Sequence, residues 1–252
     1  MSFPNRIYGD FGAEKVTNTT KKRSLGTILE LPDGREFKYV LNGSGAITSG
    51  KLTSSAAMIG NHDMDLVTAA ASVGDTSITV TLGATAATKD QYADGYIYTN
   101  DNTTTSDRGE GQIYRIASNP AADGSATLAV TLAANDPVAV ACTATTLSGL
   151  VVNPYSGIVV SPTTVTNRTL GVTATDIAAN AYGFVQTKGL ASVLVSGTVV
   201  AGQPLRVAGA TLAGAAQPLN RDGTDENEQF IGVVHNVVAA NTDNCLAFLN
   251  ID

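Results

Sequence analysis

The residues of this 252-residue chain with a claim to chemistry are few and scattered. Gly45-Ala-Ile-Thr-Ser-Gly-Lys-Leu52 comes close to the phosphate-cradling pattern G-x-x-x-x-G-K-[ST], in which backbone N–H groups hold the phosphates and a hydroxyl holds magnesium. Position 52 is Leu, so the hydroxyl is missing. The residues that follow do not read as a helix whose N-terminus faces an anion. His62-Asp63-Met64-Asp65 offers three potential metal ligands. On a strand, His62 and Met64 face one way and the two aspartates the other, so only a loop would let all three converge. His235 follows an apolar run at 231–234 with no Ser or Cys nucleophile identifiable beside it. Asp222-Gly-Thr-Asp-Glu-Asn-Glu228 is acidic but departs from the calcium-loop pattern, and reads as a charged surface loop. No catalytic, cofactor-binding or metal-ligating set emerges, and the expectation is a protein that is not an enzyme.

The composition points the same way. Charged residues make up 15% of the chain, Trp is absent, and Phe and Tyr number 6 and 8. Many glycines and small β-branched residues suit a mostly-β protein with tight turns. A low charge with few large apolar side chains suits a surface partly covered by neighbours. The net charge of −7 is uneven. Residues 1–52 hold 8 Lys/Arg against 5 Asp/Glu, about +3, which leaves 7 against 17, about −10, in the remainder. Lys21-Lys22-Arg23 is too short, and too poor in aromatics, to argue for nucleic acid. Cys142 and Cys245 stand in neither redox nor zinc spacing and read as buried free thiols, with a disulfide as the alternative. No apolar stretch has the length of a signal-peptide core or a membrane span, so synthesis in a cytoplasm and no membrane partner are expected.

The elements that must position these residues read as all-β: small barrel or sandwich domains behind an extended N-terminal arm. Residues 1–24 are polar, with Pro4, Gly9 and Gly12 as breakers, and form the arm. Over 25–60, Pro32-Asp-Gly34 between two apolar runs predicts a hairpin that packs on the body. A β-rich middle domain is expected over 61–150. There Gly74-Asp-Thr-Ser-Ile-Thr-Val-Thr-Leu-Gly-Ala and Gly124-Ser-Ala-Thr-Leu-Ala-Val-Thr-Leu-Ala-Ala align at a spacing of 50, which favours paired β-elements over a repeat array. The loop at 100–111 reads as exposed. Residues 151–252 read as a glycine-punctuated barrel domain, and short helical turns are expected only at 54–59 and 84–91.

Within the last domain, Gly183-Phe-Val-Gln186, Lys188-Gly-Leu-Ala191 and Val199-Val-Ala-Gly-Gln-Pro-Leu205 resemble the C-terminal part of tailed-phage virion structural proteins, head decoration (cement) proteins above all. Gln91-Tyr-Ala-Asp-Gly95 and the run from Gly109 to Ile116 resemble the middle of the same proteins. The resemblance implies a protein on the outer surface of the mature bacteriophage capsid, a homotrimer that bridges copies of the major capsid protein. Its implied location is the virion, without cofactor, metal, membrane or nucleic-acid partner. The basic arm supplies the capsid-contact candidates, Arg6, Lys15, Lys21, Lys22 and Arg23. A tail or fibre component binding a host surface is the alternative. It would need exposed aromatics, and Tyr92, Tyr96 and Tyr98 come nearest.

Overall fold

The computed structural model describes residues 5–102, 110–164, 167–207, 212–220, 229–238 and 242–251. The acidic cluster 222–228 and positions 103–109 of the loop expected at 100–111 lie outside the described residues. The first ten strands are β1 Arg6–Tyr8, β2 Ile28–Glu30, β3 Glu36–Asn42, β4 Leu52–Ser54, β5 Leu66–Val67, β6 Ser77–Thr81, β7 Tyr96–Asn102, β8 Ile113–Ser118, β9 Thr127–Leu132 and β10 Thr146–Val151. The others are β11 Ser156–Val160, β12 Thr169–Thr173, β13 Tyr182–Leu194, β14 Pro204–Val207, β15 Ala216–Pro218, β16 Phe230–Val234 and β17 Asn244–Asn250. The described residues contain no α-helix, only a 3-10 turn at Ala13–Lys15. The fold is all-β.

The chain divides into two compact units, one of Met1–Ala57 with Tyr155–Asp252 and the other of Met58–Pro154. The hairpin segment expected at 25–60 and the barrel segment expected at 151–252 thus belong, apart from 58–60 and 151–154, to one unit. The reason is that β3 pairs with β13 from Tyr182↔Leu41 to Lys188↔Glu36, across about 145 residues of chain.

In the second unit the sheet runs β5-β10-β7-β8-β9-β6, and a bridge Thr68↔Val80 joins its two ends into a closed barrel. Alternation does the sorting. Along β9, Leu128, Val130 and Leu132 point inward while Thr127, Ala129 and Thr131 face out. The two similar segments noted in the sequence are hydrogen-bonded neighbours here, β6 against β9 from Ser77↔Thr131 to Thr81↔Thr127. Ile78, Val80, Tyr92, Ile97, Tyr114, Ile116 and Leu150 complete the core.

The first unit is built around β13. Its 13 residues form a wall of two barrels. The first half closes β3-β11-β4-β12-β13 back onto β3. The second half leads through β17, β16, β14 and β15, and a bridge Val195↔Ala216 returns the sheet to the end of β13. Val40, Ile158, Leu170 and Val185 fill the first barrel, and Val193, Leu205, Ile231, Cys245 and Leu249 the second. Between the halves, Gly189 sits at φ +88°, and the Gln186 amide brackets it by donating to the carbonyls of Lys188 at 3.1 Å and Leu190 at 3.0 Å. A Cβ there would lie 2.9 Å from Arg35 Cγ.

One loop device recurs in both units. Ile47 and Ile177, Ala71 and Cys142, Ala87 and Ala122, and Val199 and Val238 form isolated antiparallel bridges. Three residues beyond a bridge residue the backbone turns left-handed, at Gly50, Gly74, Asp90, Ser125, Asn180 and Gly202. The N–H of each donates to a carbonyl just upstream of the partner loop: Thr173, Val138, Asn119, Gly83, Asn180's partner Gly43, and Val234 respectively for Gly50, Gly74, Asp90, Ser125, Asn180 and Gly202. Paired loops thus satisfy each other's backbone groups where strands end. The Ala-rich stretch 84–91, expected as a helical turn, is one of these loops, because Ala87 is held by Ala122 on both its N–H and C=O. The other expected helical turn, 54–59, begins at the end of β4 and continues without helix.

Candidate docking surface

The described part of the basic N-terminal segment lies against the first unit. β1 pairs parallel to β2, with Ile28 N–H donating to Asn5 C=O and Gly9 N–H to Glu30 C=O, both near 3 Å. The 3-10 turn follows, its Glu14 buried and accepting the Gly12 N–H at 2.7 Å. Asn18 then bridges Tyr182. Ile7, Ala13 and Leu25 cover a cluster of Leu29, Leu31, Phe37, Tyr39 and Phe184. Residues 5–24 are therefore a folded layer where an extended arm was expected. The polar composition hid a few apolar side chains at the spacing needed to cover that cluster.

This arrangement separates the five cations. Arg6 forms ion pairs with Glu30 and with Glu36, the latter at 3.2 Å, and Lys188 adds to Glu36 at 3.4 Å. The hydrogen bond to Glu30 leads in raising the Arg6 pKa. Burial pushes the Glu36 carboxyl up, but Arg6 and Lys188 outweigh it and hold the group below the usual range. Lys22 and Arg23 share the rim of a cleft of about 340 Å³ whose floor includes Ile7, Leu29, Tyr39 and Phe184. The Lys22 N–H donates to the Tyr39 hydroxyl, whose pKa burial raises. Lys15 lines a different cleft, of about 550 Å³, with Phe11, Arg35, Leu190 and Asn244. Lys21 is exposed.

Charge alone does not describe this surface. Tyr8 is 78% exposed, Phe11 63% and Val16 52%, all within the same layer. Nothing in the sequence pattern marked them, because an exposed aromatic and a buried one look alike until the face of the segment is known. Among the described residues the edge of β1 is also open. Its parallel ladder turns the peptide groups of Asn5, Ile7 and Gly9 toward β2, so those of Arg6 and Tyr8 face away, and β1 is the end strand of its sheet.

The residues considered for chemistry are placed otherwise. In 45–52, Ile47 N–H donates to Ile177 C=O, Ser49 N–H to Asp176 Oδ1, Gly50 N–H to Thr173 C=O and Leu52 N–H to Gly214 C=O. Those N–H groups are committed to protein acceptors and do not form a phosphate cradle. His62 is buried, with Nδ1 bonded to the Tyr92 hydroxyl and Nε2 2.8 Å from Thr85 C=O, so both nitrogens are occupied. Among the described residues no three His, Cys, Asp or Glu side chains gather as metal ligands. His235 packs edge-on against Phe248. Cys142 and Cys245 are buried free thiols in different units, and burial raises both pKa values. Compared with protein-family models, curated proteins and solved structures, the chain matches none of them.

Proposed function

We propose that the chain is a structural virion protein that binds the outer surface of a mature tailed-phage capsid, as a trimer bridging capsid subunits. The observation that carries this reading is the N-terminal layer. It presents Tyr8, Phe11 and Val16 beside Lys15, Lys22 and Arg23, on a body whose charge is otherwise negative. Exposed aromatics beside an arginine are what interface centres are enriched in, and the lysines suit the polar rim. The mechanism is linkage: a ligand that meets its full set of contacts only on the expanded lattice stabilises that lattice over its precursor. The alternative is a tail component reading a host surface, and the tyrosines named for it are less exposed than Tyr8 and Phe11. Tyr92 is buried, and Tyr96 and Tyr98 are half-buried, the Tyr98 hydroxyl donating to Asp63 C=O at 2.6 Å.

Copy number in purified virions, with the position seen by cryo-electron microscopy, tests the proposal. Near one copy per capsid subunit, in threes on the shell, is the expected result, and a handful of copies at the tail overturns it. Deleting 1–24 is a poor probe of the surface, because it uncovers Leu29, Tyr39 and Phe184. The exposed set Tyr8→Ser, Phe11→Ser, Lys22→Glu and Arg23→Glu is the cleaner variant. Its binding to undecorated heads should fall by at least about 100-fold while its melting temperature stays near that of the parent.

A further inference from the structure

On the first unit, β3, β12 and β13 border a small cleft of about 190 Å³. Lys38, Arg168 and Thr169 line it, with Tyr155, Thr187 and Ile251. Its described lining contains two cations and no Asp or Glu. Neither Lys38 nor Arg168 joins an ion pair among the described residues; the Lys38 ammonium lies 5.9 Å from the centre of the Tyr155 ring. The second observation is independent of charge. Thr169 is 0% exposed, yet its Oγ1 has no hydrogen-bond partner among the described residues. A buried hydroxyl left unpaired is costly, so such a group is kept where an acceptor meets it.

We propose that this cleft binds a small oxyanion, with Arg168 and Lys38 neutralising the charge and the Thr169 hydroxyl, which has no accessible surface in this structure, rotating to donate one hydrogen bond when the ion is bound. The guanidinium fork fits two oxygens of a phosphate or a carboxylate, and the ammonium supplies a point charge. The volume admits one such group with some water and excludes a nucleotide. This site stands apart from the docking reading and does not depend on it.

The test titrates the full chain with inorganic phosphate, and separately with acetate, at constant ionic strength, while amide NMR shifts and melting temperature are followed. Saturable shifts at Lys38, Thr169, Leu170 and Thr187 with either ion are expected, together with a rise in melting temperature. Phosphate alone identifies a phosphate-class ligand, and acetate identifies a carboxylate, free or on a polypeptide. Arg168→Gln and Thr169→Val should each weaken the saturable binding by about tenfold. Arg168 is exposed, so its variant folds, and Thr169→Val keeps the side-chain shape while removing an unpaired hydroxyl. Shifts that never saturate, that spread over every exposed lysine, or that persist unchanged in Arg168→Gln overturn the proposal.

Discussion

His62 and Tyr92 lie 30 residues apart and meet only in the core of the second unit. Nε2 faces the Thr85 carbonyl and therefore carries a proton; Nδ1 shares a hydrogen with the Tyr92 hydroxyl. Tyr92→Phe leaves that nitrogen unpaired in an apolar setting and should cost the unit about 1–3 kcal/mol in urea denaturation at neutral pH. Burial pushes the Tyr92 pKa up to about 12. The unfolded phenol titrates near 10, so its share of stability is intact below about pH 10 and is lost as the pH rises through the folded value. The parent should lose stability above about pH 10 more steeply than Tyr92→Phe, as read from denaturant midpoints across that range. A structure in which the two curves run parallel would place the alkaline loss elsewhere. The sequence showed His62 beside two aspartates and suggested a ligand set. What it could not show is the partner, since Tyr92 and Thr85 reach the ring through folding rather than spacing.

At the scale of elements, the left-handed residues of the paired loops make a sharp prediction. Asn180 is exposed at φ 57°, and its N–H donates to Gly43 C=O. Asn180→Val asks a β-branched residue to adopt that conformation and should cost about 1–2 kcal/mol, whereas Asn180→Gly should stay within about 0.5 kcal/mol of the parent. Thermal melts of the two variants side by side separate conformational strain from loss of the side chain. Which elements were legible follows from how local their causes are. Asp-Gly between two alternating runs specifies its own hairpin, and β2 and β3 pair from Ile28↔Lys38 to Glu30↔Glu36 as that turn requires. β6 and β9 carry their alternation on the surface of the sequence. By contrast, Gly183 and Gly189 read as punctuation between short strands, yet β13 runs through both, because neighbours on each side supply its ladder and the Gln186 amide brackets Gly189 with two hydrogen bonds. The isolated bridges were invisible for the same reason: Ile47 and Ile177 are ordinary residues until 130 positions of chain bring them together.

For the whole molecule, the second unit is a contiguous insertion between Ala57 and Tyr155 of the first. The two points of insertion are neighbours within the first unit, since a Cβ placed on Gly157 would lie 3.8 Å from that of Ala56. Each unit has its own buried core. Residues 58–154 alone, and the chain with 58–154 replaced by a short Gly/Ser linker, should each fold and melt cooperatively. Calorimetry checks this, and a linker variant without a cooperative transition would mean that the first unit depends on the insertion. If the docking reading holds, the linker variant should also keep its affinity for capsids, because every residue of the N-terminal layer remains. The boundaries expected at 60/61 and 150/151 fall near the two ends of this insertion, but its nesting is revealed only by the pairing of β3 with β13. That same pairing has a mechanical consequence. A pull applied along one barrel of the first unit passes to the other through the unbroken backbone of β13. The hydrogen bonds to β3 on one side and β17 on the other then carry the load together in shear, instead of parting one after another like a zip. The two barrels of this unit therefore resist stretching as a single stiff strut.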